Sequence, residues 1–164
     1  MSKAKFVRYL LASIDPQFAV AKWLHHQGVD VSIGGLKVQP EDDHTSNYSD
    51  GGDIITPKGL VDVKHLREVK FTNSHDFPYA QATAGFKPSI DKLIALDPGL
   101  YAAFFVNADM SHAYIVKTDT KPFWTYRPVK DAVTGMMKDS YFVDLMHCKF
   151  IDLLDKGGHN VPTQ

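Results

Sequence analysis

The sequence predicts a single α/β domain with a mixed central sheet flanked by helices. Three observations carry this. A β-hairpin signal spans 53–64, segments of helical periodicity alternate with β-branched runs, and residues 101–106 form an apolar run suited to a strand buried on both faces. The chain of 164 residues is long enough to bury one core without disulfides or structural metals.

In chain order, Phe6, Val7, Leu10, Leu11 and Ile14 recur at helical spacing and predict a helix over about 4–12. Asp15-Pro16 then supplies an N-cap and a first-turn proline for a second helix over about 16–27. Phe18, Val20, Ala21, Trp23 and Leu24 are its apolar content, and Gly28 is its stop. His25 and His26 sit in its last turn, where a positive end suits the helix dipole. Val29-Asp30-Val31-Ser32-Ile33 alternates as a first strand, with a bulge or turn at Gly34-Gly35 and a continuation over 36–38. The acidic, polar segment 39–51 reads as a loop feeding the hairpin.

The hairpin pairs Asp53-Ile54-Ile55-Thr56 with Leu60-Val61-Asp62-Val63-Lys64 across Pro57-Lys58-Gly59. Alternation sets Val61 and Val63 on one face and Asp62 and Lys64 on the other. Two carboxylates and an ammonium gathered on adjacent strands suit a hard divalent cation beside a phosphate. The lysine would orient water or offset charge developing in phosphoryl transfer. Glu68-Val69-Lys70 repeats the acid-x-Lys spacing and stays in phase if the strand runs on unbroken, so Glu68 is a possible flanking residue.

Residues 72–86 are polar and aromatic by turns, with an ordered loop expected at Asp76-Phe77-Pro78-Tyr79. Lys87-Pro88 opens a short helix over about 89–96, closed by Asp97-Pro98-Gly99. Strands are expected over 101–106, 112–117, 123–126 and 141–146, with a short helix or turn over 130–137 and a frayed tail over 156–164.

Composition narrows the function classes. Eighteen Lys and Arg against nineteen Asp and Glu give a net charge of −1, which excludes a protein that coats nucleic acid by bulk electrostatics. No apolar run is long enough to cross a bilayer, the basic N-terminus lacks a signal-peptide core, and the lone Cys148 precludes an intrachain disulfide or a cysteine zinc cluster. A reducing cytoplasm is the expected compartment. There is no Gly-rich phosphate loop, Gly-x-Ser-x-Gly elbow or His-Glu-x-x-His. Cys148 beside His147 reads as a half-buried structural thiol.

The order helix, strand, strand, strand, helix, strand, with Asp53 on one hairpin strand and Asp62-Val63-Lys64 on the next, resembles the PD-(D/E)xK nuclease superfamily. The resemblance covers about 16–118, leaving 119–155 as additional strands and a short helix of the same domain. Val63-Lys64-His65, Phe71-Thr72 and Asp76-Phe77-Pro78-Tyr79 are also similar to phage and bacterial members of undetermined function. The resemblance implies a restriction-endonuclease-like αβββαβ core and Mg²⁺- or Mn²⁺-dependent hydrolysis of DNA. Asp53 and Asp62 would be metal ligands, assisted by the Val63 carbonyl, and Lys64 the catalytic lysine. Gly52 replaces the proline of the motif, and the first core helix offers Gln17 and Lys22 where many members carry a glutamate, so that ligand is either missing or supplied by another residue such as Asp15.

Lys70, Arg67 and Lys87 are the candidate phosphate contacts on duplex or single-stranded DNA. So few cations imply that tight binding needs a homodimer or a partner protein. The alternative is a catalytically inactive nuclease-like domain that serves as a protein- or DNA-binding module.

Overall fold

The computed structural model describes residues 14–33, 53–132 and 134–156. The expected helix over 4–12, the strand continuation over 36–38, the acidic loop and most of the tail lie outside the described residues.

Six strands form a mixed sheet in the order β1-β2-β3-β5-β6-β9. They are β1 (Ser32–Ile33), β2 (Ile54–Thr56), β3 (Gly59–His65), β5 (Leu100–Val106), β6 (His112–Lys117) and β9 (Lys149–Asp152). Only β3 and β5 run parallel; the other neighbours are antiparallel. A second, antiparallel sheet has the order β4-β8-β7, with β4 at Gln81–Phe86, β7 at Thr125–Lys130 and β8 at Met137–Asp144. The helices are α1 (Ile14–His26) and α2 (Lys87–Ile94).

Alternation along β3 and β5 divides the core in two. Val61, Val63, Ala102, Phe104 and Val106 face α1, meeting Val20, Trp23 and Leu24. Leu60, Ala103 and Phe105 face the other way, toward Ala82, Ala84 and Val143 of the second sheet and Ile90 and Leu93 of α2. β5 is therefore buried on both sides, as its apolar run predicts. On the second face Phe105 stacks on Tyr114 at 4.8 Å, Phe77 meets Tyr114 edge-on and Phe71 packs on it at a tilt.

The hairpin forms as its turn chemistry requires, with Ile54 opposite Val61 and Thr56 opposite Gly59. Gly59 adopts φ +130, and a Cβ there would stand 2.5 Å from the Gly99 carbonyl oxygen. That same carbonyl accepts the Leu60 N–H, so the turn and the start of β5 interlock at a point open only to glycine.

Several expectations are corrected. Within 72–86 no strand was expected, yet Gln81–Phe86 forms β4. The observed order is therefore α1-β1-β2-β3-β4-α2-β5, with β4 belonging to the second sheet. The large sheet is not simply flanked by helices: α1 covers one face, and a sheet together with α2 covers the other. Of the helix or turn expected over 130–137, the turn is what forms: it joins β7 to β8 and is closed by Asp131 N–H to Met136 O and Gly135 N–H to Asp131 O, both 2.8 Å. The first strand is only Ser32–Ile33, and β9 was not foreseen. The Asp76 segment is ordered as expected: its carboxylate accepts the Thr72 and Asn73 N–H groups and the Thr72 hydroxyl, which holds its pKa low.

Cys148 packs against the second core, and burial pushes its thiol up to about 12. At pH 8 iodoacetamide should therefore alkylate the folded protein at least about a hundredfold more slowly than the denatured chain, followed by mass spectrometry. The folded thiol keeps its proton to higher pH than the unfolded one. Its contribution to stability is thus present below the unfolded pKa and is lost as pH climbs toward about 12.

Candidate functional site

Asp53 clamps β3 on both sides of residue 62. Its N–H donates to Val61 O at 3.1 Å, and its Oδ2 accepts the Val63 N–H at 2.6 Å. The carboxylate thus stands where a strand carbonyl would otherwise complete the ladder. A third bond fixes it from the helix, where Gln17 Nε2 donates to Asp53 Oδ1 at 3.1 Å. Gln17 is 3% exposed, on the inward stripe of α1 that also carries Val20, Ala21 and Leu24.

Asp62 is 1% exposed. It shares the face of Leu60 and Lys64, as alternation predicts. Its Oδ1 lies 3.4 Å from Lys64 Nζ, and the Lys64 side chain is 49% exposed. Its Oδ2 is buried and has no hydrogen-bond partner among the described residues. Burying a carboxylate oxygen without a donor costs stability, and a half-exposed ammonium on the other oxygen offsets only part of that. Among the described residues nothing supplies the donor or cation that would satisfy this atom.

The two carboxylates thus differ: Asp53 is bonded to Gln17 and to the β3 backbone, while Asp62 keeps one buried oxygen without a partner among the described residues. Among the described residues no three His, Cys, Asp or Glu side chains cluster closely enough to hold a metal by themselves. Asp15, the expected substitute ligand, lies exposed in the first turn of α1, while Gln17 is the helix residue that reaches Asp53.

The remaining site residues are distributed differently from expectation. β3 ends at His65, and Leu66 N–H to Val106 O is its last bond toward β5. The chain then turns, with Val69 N–H donating to Leu66 O at 3.1 Å. Arg67 and Glu68 occupy this turn and Lys70 follows it, all three exposed, so neither Glu68 nor Lys70 continues the row of Asp62 and Lys64. Lys87 is committed elsewhere. Its ammonium lies 2.8 Å from Asp91 and over the rings of Tyr126 and Tyr141, and the Asp91 contact holds its pKa high. The same Asp91 accepts the Tyr141 hydroxyl at 2.5 Å, and with Lys87 this holds the carboxyl below its usual range.

His65, at the end of β3, bonds the Ala108 carbonyl through Nε2 at 3.1 Å and ties the strand to the β5–β6 turn. His25 and His26 end α1 with their rings 5.9 Å apart and no cluster of ligands around them. Among the described residues no helix is long and apolar enough to cross a membrane. No protein-family model, curated protein or solved structure matches the chain.

Proposed function

We propose that the protein is a Mg²⁺- or Mn²⁺-dependent nuclease with a restriction-endonuclease-like core, hydrolysing phosphodiester bonds in DNA. The observation that carries this is Asp62: a buried carboxylate with one oxygen unpartnered among the described residues, on the strand whose backbone Asp53 clamps, and with Lys64 at its rim. With β4 set aside, the order α1-β1-β2-β3-α2-β5 supports the same assignment.

Asp53 and Asp62 would hold the ion, with the Val63 carbonyl as a third oxygen. The bound cation would supply Lewis acidity at the phosphate and lower the pKa of water. Lys64 is half in solvent and half against Asp62, suited to orient an attacking water and to stabilise negative charge that develops on the phosphoryl oxygens. Gln17 acts through Asp53: its amide fixes one carboxylate oxygen and so limits how that group can turn. The test is cleavage of plasmid and labelled oligonucleotides by the full chain. Mg²⁺ or Mn²⁺ should support cutting and EDTA should abolish it; undiminished cutting in EDTA would remove the assignment.

One observation favours a second reading, a nuclease-like domain that binds without cutting. Both Asp53 oxygens already accept hydrogen bonds, from Gln17 and Val63, so Asp53 also works as a structural clamp. Calorimetry with Mg²⁺ and Mn²⁺ separates the two. Heat of binding that saturates at millimolar ion supports the nuclease; no measurable binding supports the module.

A further inference from the structure

A cleft of about 390 Å³ opens beside the second sheet, walled by Leu66, Phe77, Tyr79, Thr83, Arg127 and Phe142. Its walls are mostly apolar and aromatic, and its one cationic wall group is built in. The Arg127 guanidinium lies 3.6 Å from the Phe142 ring centre and donates to Gln81 Oε1 at 3.0 Å, while Gln81 is held in turn by Asp144 at 3.0 Å. Tyr79 stands at the opening, 58% exposed, its ring edge-on to the buried Phe77 at 5.8 Å.

The cleft is a neighbour of the acidic site by construction. Leu66 packs on the same core face as Leu60, and it lies two residues beyond Lys64, roughly 7 Å along an extended chain. A phosphate held at Lys64 would therefore have the base of an adjacent nucleotide within reach of the cleft. A paired base in a stacked duplex could not enter.

We propose that this cleft takes one unstacked nucleobase of a single-stranded DNA segment whose phosphate lies at Asp62 and Lys64. This rests on the nuclease reading for the phosphate and adds the form of substrate. Flat walls that stack without reading hydrogen-bond edges accept any base, with a preference for single strands over duplex. Tyr79 is the lid-side stacking surface. Arg127, fixed on Phe142, gives a second planar face for the base.

The experiment uses the full chain in EDTA, so that no turnover intervenes, and fluorescence anisotropy with three labelled probes. These are a ten-residue oligothymidylate, an abasic strand of the same length and charge, and a duplex of ten base pairs. The base-bearing strand should bind at least about tenfold more tightly than the abasic one and than the duplex. Tyr79→Ala and Arg127→Ala should each weaken the base-bearing strand about tenfold and leave the abasic strand within twofold, a size typical of one stacked base. Both side chains are exposed, so their loss leaves the core intact, and thermal melts of the variants verify it. Lys64→Ala should weaken the base-bearing and abasic strands alike. Equal affinity for base-bearing and abasic strands overturns the proposal, as does absence of single-strand binding or an unchanged ratio in Tyr79→Ala. A chain that never cleaves DNA but keeps the ratio loses the nuclease reading and retains the base pocket.

Discussion

Asp62→Asn should abolish DNA cleavage, by about a thousandfold or more, and at the same time make the metal-free protein more stable. On the proposed nuclease reading the activity loss follows from removing one of the two carboxylates that would hold the ion, since bound-metal stabilisation of the reacting phosphate amounts to several kcal/mol. The gain has a separate cause. Asp62 is buried with one oxygen orphaned, and an isosteric amide relieves the buried charge. The lysine left behind is half in water and rehydrates readily. About 1 kcal/mol, or roughly 2–4 °C in melting temperature, is the expected size. Melting curves with and without Mg²⁺ separate the two effects. The natural chain should gain about 1.4 kcal/mol at an ion concentration ten times its dissociation constant, and the variant nothing. A variant that melts lower and still responds to Mg²⁺ would make Asp62 a structural ion pair with Lys64.

Gln17→Glu is expected to produce the largest loss of stability in metal-free buffer, about 2–4 kcal/mol. The substitution keeps the shape of the side chain but replaces a donor by a carboxylate 3.1 Å from Asp53 Oδ1, in a position 3% exposed. Like charges at that range cannot both ionise, so one of the pair would take a proton near neutral pH. A divalent ion changes the sign of the effect, because a third carboxylate then becomes a ligand. Mg²⁺ or Mn²⁺ should therefore raise the melting temperature of Gln17→Glu by more than that of the natural chain. Gln17→Ala serves as control: it loses the hydrogen bond and gains no charge, so its melting temperature should fall without added sensitivity to metal. Equal metal responses in all three proteins would show that Gln17 and Asp53 stand apart from any ion site.

The hairpin and its charges were legible because everything that specifies them is local. Turn residues at 57–59, β-branched neighbours and strict alternation fix which face Asp62 takes, and the fold obeys. The β5 strand was equally plain, since six apolar residues in a row leave no side for water. What was illegible depends on distant partners. β4 runs through Gln81, Ala82, Thr83, Ala84 and Gly85 to Phe86, a set mostly too small to announce a strand; it is held by pairing with β8, some sixty positions away. The end of β3 could not be read either, because Leu66 to Val69 still look strand-like and only the end of pairing with β5 makes them turn. Gln17 did leave a signal: it sits on the stripe of Val20, Ala21 and Leu24, where a polar residue needs a buried partner. Which partner was a question only the packing of α1 on the sheet could answer.

β3 lies inside the large sheet, with β2 on one side and β5 on the other, and both of its faces are covered along most of its length. The amides around Asp62 should therefore be among the slowest in the chain to exchange with deuterium, opening only when the whole domain does. Sites on loops can melt early and fail while the rest of a protein survives. Here the carboxylates are carried by an interior strand and its immediate partner, so heat inactivation and loss of the fold should share one midpoint.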